Sequence, residues 1–262
     1  MSSALIELGR YDDARRHAED AVAIVSANHA GGDHARLRHQ AFVLFGHLQV
    51  LRADYRDART SFSRALRVAK RHDLGPAATA RALNGLGVVS KYTGRWASGA
   101  RYYRLALRAI GPVAGPHAGL AATVLHNLGG LEHARGRFVL AERWARRGLK
   151  LREQQTTPST VEKATDLAAL AAIVHARGDL GEAARLYRRA STLLRRRLGA
   201  DHFEIAFNLG QMAALEHSRG RLVESRRLYR RALPRLESVL GREHPVVARV
   251  KANFAELRAE KV

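Results

Sequence analysis

One stretch of this chain keeps returning, and its return limits the possible folds more than any local signal. Leu131-Glu132-His133-Ala134-Arg135-Gly136-Arg137 reappears as Leu215-Glu216-His217-Ser218-Arg219-Gly220-Arg221, and between them as Ile173-Val174-His175-Ala176-Arg177-Gly178-Asp179. Gly94, Gly136, Gly178 and Gly220 stand 42 residues apart. Self-similarity at a fixed period of this length marks a chain of stacked units, each burying its apolar face against its neighbours. With Gly9 and Ala53 placed at the same reference point, six units align.

The alignment shows where helices must pack closely. Five residues after the reference come Ala14, Ala58, Gly99, Ala141, Ala183 and Ser225. Twelve residues after it come Ala21, Ala65, Ala106, Gly148, Ala190 and Ala232. A small residue at a fixed place in every unit lets two helices approach where a larger side chain would force them apart. Aromatic residues recur on the second half of the unit, at Phe62, Tyr103, Trp144, Tyr187 and Tyr229, and fill the gaps between the small ones. In the fourth unit Leu120, Val124, Leu128 and Leu131 keep helical spacing, which predicts a first helix over about 119–134 and a second over about 140–152. Gly75-Pro76, Gly111-Pro112, Thr157-Pro158-Ser159 and Gly241 to Pro245 separate the units, with Gly ending a helix and Pro or Ser opening the next.

This small–small–turn pattern is that of the tetratricopeptide repeat (TPR). The 42-residue period, the Leu198-Gly199 and Leu240-Gly241 helix ends, and His202 and His244-Pro245 after them resemble the kinesin-light-chain-like subclass. The expected fold is all-α, a right-handed α-solenoid of antiparallel helix pairs forming a single array over 1–262. The expected units are a partial repeat 1–27, full repeats at about 34–72, 77–111, 117–153, 160–198 and 202–240, and a capping helix 245–261. The incomplete first repeat offers a surface for self-association.

The resemblance also implies where a ligand would sit. First helices of such arrays line a concave groove, and peptides lie along it. Transferred by register, that face carries His47, Arg81, Asn84, Lys91, Tyr92, His126, His133, His175 and His217, with Gln40, Val43, Val50, Val88, Thr123, Gly130 and Thr165 among them. Arginine, lysine and histidine suit a carboxylate through charge-assisted bonds, and an asparagine offers both donor and acceptor to a peptide backbone. The expected partner is therefore an acidic or C-terminal peptide segment of a protein, in a regulatory or scaffold role within a bacterial protein.

Charge brings a second reading. The chain holds 45 Lys and Arg against 24 Asp and Glu, a formal net charge of +21, which attracts anionic partners at long range. Arg146, Arg147, Arg188, Arg189, Arg230 and Arg231 fall on second helices and form a stripe suited to sequence-independent nucleic-acid contact. Interspersed Glu142, Glu182 and Glu224 argue for a solvated helical back instead.

Several classes lack support in the sequence. No cysteine is present, which excludes disulfides, thiolate metal sites and a cysteine nucleophile, and fits a reducing, cytoplasmic setting. The longest apolar run, Leu167 to Val174, has eight residues, and a membrane span needs roughly 20. His133, His175 and His217 sit one per repeat. Neighbouring helix axes lie roughly 8–10 Å apart, so the three do not converge on one ion whose ligands stand at about 2 Å. No nucleophile motif and no phosphate loop occurs. The sequence thus predicts a non-enzyme without metal or cofactor.

Overall fold

A computed structural model describes residues 32–111, 115–155, 159–199 and 202–259, together with Asp13, Arg16, His17 and Asp20. The expected partial repeat 1–27, and the self-association surface it would offer, lie outside the described residues. The described chain is all-α and built of antiparallel helix pairs. It divides into two compact units, residues 1–155 and 156–262.

The first unit holds α1 (Gly32–Leu51), α2 (Tyr55–Arg71), α3 (Pro76–Tyr92), α4 (Trp96–Ile110), α5 (Ala118–Ala134) and α6 (Phe138–Glu153). Helices pair as α1/α2, α3/α4 and α5/α6. Each first helix also touches the next one, α1 on α3 and α3 on α5. The second unit holds α7 (Thr160–Ala176), α8 (Leu180–Leu198), α9 (Phe203–Ser218), α10 (Leu222–Leu240) and α11 (Pro245–Ala259). There α7/α8 and α9/α10 pair, while α11 packs on α10 and α9.

The turn inside each pair is one recurring device. The reference residue takes a left-handed backbone, φ 71° at Gly94, 72° at Gly136, 93° at Gly178 and 72° at Gly220. The next amide then reaches back to a carbonyl five residues earlier: Arg95 to Ser90 (2.8 Å), Arg137 to Glu132 (2.9 Å), Asp179 to Val174 (3.2 Å) and Arg221 to Glu216 (2.9 Å). This closure satisfies carbonyls that a helix end otherwise orphans. Ala53 holds the same place with φ 63°, a conformation its Cβ resists. In two copies the turn is also clamped by a buried acid. Glu132 accepts from Arg135 at 3.2 Å and faces Arg137 at 3.8 Å, and Glu216 accepts from Arg219 at 3.0 Å and Arg221 at 3.4 Å. The recurring Glu-His-x-Arg-Gly-Arg string is therefore the chemistry of a turn.

The small positions are buried as their recurrence requires. Ala58, Ala141, Ala183 and Ser225 are fully buried, and so are Ala65, Ala106, Ala190 and Ala232. Large rings slide over glycines: a Cβ on Gly85 would stand 2.2 Å from Phe62, and one on Gly87 2.4 Å from Tyr103. Several helix starts in the second unit are capped by side chains. Asp179 accepts the Glu182 amide at 2.9 Å, and the Nδ1 atoms of His202 and His244 accept the amides of Glu204 and Val246, each at 3.2 Å. Among the described residues no helix is long and apolar enough to cross a membrane.

Candidate functional site

In the first unit the helices α1, α3 and α5 carry seven of the expected groove residues, His47, Arg81, Asn84, Lys91, Tyr92, His126 and His133. His47 on α1 is half-buried, its ring edge-on to Phe62 at 5.1 Å. Burial, aided by the nearby Arg81 charge, lowers its pKa to about 4, so the imidazole is neutral at pH 7. Arg81 is exposed on α3. Asn84, one turn along, is buried, and its Oδ1 accepts a 3.0 Å hydrogen bond from Nδ2 of Asn127 on α5.

At the end of α3, Lys91 sits over the Tyr92 ring with Nζ 4.5 Å from its centroid. Tyr92 in turn stacks on Tyr55 at 5.5 Å with planes 6° apart. Lys91 Nζ occupies the space that Gly130 leaves open on α5, 3.6 Å from where a Cβ would stand. Two contacts thus join α3 to α5, Asn84 with Asn127 and Lys91 over Gly130, while the Tyr92–Tyr55 stack joins α3 to α2. His126 is half-buried on α5, and His133, in the last turn of α5, tilts against Phe138 at 5.5 Å.

The second unit carries the other two expected histidines. His175, in the last turn of α7, has Nε2 2.9 Å from the Ser218 hydroxyl. That hydroxyl also reaches the Ala214 carbonyl at 3.2 Å. Burial lowers the His175 pKa. His217 stands in the last turn of α9. A histidine near a helix C-terminus is favourably placed against the helix dipole, which gives the ladder a local reason.

A family model described as the MalT-like TPR region matches residues 2–205, and a further tetratricopeptide-repeat model matches residues 209–246. The chain belongs to the MalT-like TPR family. The kinesin-light-chain-like subclass is compatible with that assignment. Among curated proteins none matches. Similar solved structures include the apo form of RapI, 15% identical, with a TM-score of 0.66 over 91% of this chain and 81% of that one. A Rap protein complexed with competence and sporulation factor is 12% identical, with a TM-score of 0.65 over 98% and 72%. BtubC (BKLC) from P. vanneervenii is 16% identical, with a TM-score of 0.59 over 96% and 92%. At these identities the likeness speaks for the fold alone.

Elsewhere on the TPR chain, the expected arginine stripe is mixed in character. Arg146 donates from Nε to Glu142 at 2.7 Å. Arg147 on α6, Arg188 and Arg189 on α8, and Arg230 and Arg231 on α10 are exposed. Among the described residues no group of three His, Asp or Glu side chains is placed to hold a metal ion.

Asn127 escapes the register argument. Forty-two residues after Asn84 stands His126, so transfer by period points one residue short of the amide that bonds Asn84. Adjacent helical residues point about 100° apart, and which of them meets α3 depends on the rotation of α5 about its axis. Tyr55 escapes for a related reason: it reads as the opening residue of a second helix, while in the structure it supports Tyr92.

Proposed function

We propose that this chain is a non-catalytic protein-interaction module that holds an acidic or C-terminal peptide segment against α1, α3 and α5, in a regulatory or scaffold role in a bacterial cytoplasm. The observation that carries the reading is that Asn84 and Lys91 of α3 both reach α5, Asn84 at Asn127 and Lys91 at Gly130. The two amides are held against each other, and Lys91 lies over Gly130 with no bulk beside it. Asn127 is half-buried, and with Nδ2 given to Asn84 it keeps Oδ1 as an acceptor for a peptide backbone, while Lys91 with Arg81 supplies charge for a carboxylate. Tyr92, 50% exposed, adds apolar contact area beside that charge. The same fold is found in a Rap protein complexed with competence and sporulation factor, which supports a ligand-holding role for such helix pairs.

The test is fluorescence anisotropy of a labelled acidic peptide library, followed by charge reversal. Arg81→Glu with Lys91→Glu abolishes binding on this reading, and Arg188→Glu with Arg230→Glu spares it. The reverse outcome, measured with a DNA or RNA probe as well, favours the second reading, sequence-independent nucleic-acid binding. What supports that alternative is the exposure of Arg147, Arg188, Arg230 and Arg231 on second helices.

A further inference from the structure

Two histidines are built into the seat of α1 on α2. His39 is buried, and its Nδ1 donates to the Ala65 carbonyl of α2 at 3.1 Å, since a carbonyl oxygen only accepts. Its basic atom is therefore Nε2, which is buried and has no hydrogen-bond partner among the described residues. His47, further along α1, lies edge-on to Phe62 of α2 with ring centroids 5.1 Å apart. Phe62 is closed in by Gly46 of α1 and Gly85 of α3, where a Cβ would stand 2.8 Å and 2.2 Å from the ring. At both points α1 is seated through an imidazole.

The helices around the two rings offer them cations rather than acids. α3 contains no Asp or Glu, and its Arg81 is the charge that acts on both imidazoles. α2 sets Arg64 over Phe42 of α1, 5.9 Å from the ring centroid. The one acid of α2, Asp57, is exposed in its first turn, and Asp54 before it faces Arg52 at 3.4 Å. α1 itself carries Arg36 and Arg38, and its one acid, Asp33, is the second residue of the helix. A proton on Nε2 of His39 would be a buried donor without an acceptor, and a proton on His47 would add a second cation near Arg81. Both are costly while α1 is docked and cheap once water reaches the rings. Burial first and the Arg81 charge second hold the His47 pKa down to about 4, and burial also lowers that of His39.

We propose that the seat of α1 on α2 and α3 is an acid-sensitive latch, in which proton uptake by His39 and His47 releases α1 while the α5/α6 pair stays folded. Units of a repeat array contact only their neighbours, so one helix can open at less cost than global unfolding. The latch does not depend on what the first helices bind. On a released α1 the imidazoles return to the ordinary value of about 6.5. Docking is therefore complete above about pH 7 and weakens as pH falls through 6.5 toward 4. From His47 alone the ratio of open to docked α1 rises about 30-fold between pH 7.5 and 5.

Amide hydrogen exchange of the full chain at pH 7.5 and pH 5, each rate divided by its intrinsic value, tests the latch helix by helix. The expected result is that protection of α1 falls at least tenfold between the two, and that at pH 5 α1 is at least tenfold less protected than α5 and α6. In a His39→Gln, His47→Gln double variant, shown to be folded at pH 7.5 by circular dichroism, the protection of α1 should differ by less than threefold between the two pH values. Ring NMR of the unaltered chain gives a reading that does not depend on that variant: both imidazoles should titrate below 6.5, together with the loss of α1 protection. A fall of less than tenfold in α1, a gap of less than tenfold between α1 and α5/α6 at pH 5, an undiminished fall in the folded double variant, or rings that titrate at 6.5 with α1 still protected overturns the proposal.

Discussion

Replacing Gly85 by alanine should destabilise this protein, although the same change in most helices stabilises. An alanine in a helix interior is favoured over glycine by about 1 kcal/mol. At Gly85 the added Cβ would stand 2.2 Å from Phe62 Cδ1, 2.3 Å from Cε1 and 2.6 Å from Cγ. Ordinary contact begins near 3.4 Å, so the ring must retreat by more than an ångström. Its other side is closed by Gly46, where a built Cβ is already 2.8 Å from Phe62 Cζ, and Phe62 has no exposed surface. Overpacking of this kind costs about 1–3 kcal/mol and sometimes more. Given the severity of the overlap, we place the net loss, after the propensity gain, at about 2 kcal/mol, or about 4–8 °C in Tm for a chain of this size.

Gly210 is the internal control. A Cβ there would meet Val250 at 3.6 Å, an ordinary contact, so Gly210→Ala should gain up to about 1 kcal/mol. Thermal and urea unfolding of both variants, read by circular dichroism, gives opposite signs on this account. Phe62→Leu in the Gly85→Ala background should recover part of the loss, because the shorter side chain leaves room. If Gly85→Ala is as stable as Gly210→Ala, the ring-over-glycine packing is not what holds α2 to α3.

Other consequences follow from single sites. Ala53 holds a left-handed backbone where four repeats use glycine, so Ala53→Gly should raise stability by about 0.5–1 kcal/mol, measured as a higher urea midpoint. His47 has its folded pKa lowered to about 4 against an ordinary value of 6.5. The unfolded chain therefore binds the extra proton first, and the stability this site contributes is full above about pH 7 and falls as pH drops through 6.5 toward 4. The loss between pH 7.5 and 5 should be about 2 kcal/mol, and His47→Gln should flatten that part of the pH profile. Glu132→Ala should cost about 2 kcal/mol by removing the buried partner of Arg135 and Arg137, while Glu132→Val, the residue that Val174 supplies in the next repeat, should cost less. A chemical denaturation series compares the two directly.

How much of this was legible in the sequence depends on the period of the feature. The helix pairs, the small buried residues and the left-handed turns repeat every 42 residues, so six imperfect copies report on one geometry. Ala58, Ala141 and Ala183 are buried for the same reason, and α6 opens at Phe138, two residues after Gly136, as α4 opens at Trp96 after Gly94. The candidate site breaks the period. Asn127 pairs with Asn84 from a position one residue out of register, and Tyr92 stands where the following repeats have Ala134, Ala176 and Ser218, although Lys91 keeps register with His133, His175 and His217. Such features depend on the rotation and spacing of neighbouring helices, which periodicity averages away. Asn84 also shows the limit of reading exposure from offset: it falls on the expected groove face yet is buried by its bond to α5.

The central claim is that a peptide lies on the α1, α3 and α5 face, and the side-chain amide resonances of Asn84 and Asn127 report on it most directly. They can be followed by two-dimensional NMR while a peptide selected from the acidic library is titrated. The account predicts that both amide pairs shift progressively to saturation with the affinity measured by anisotropy, and that the shifts vanish in the Arg81→Glu, Lys91→Glu double variant. Saturable binding with those amide signals unmoved would contradict it and place the ligand elsewhere on the molecule.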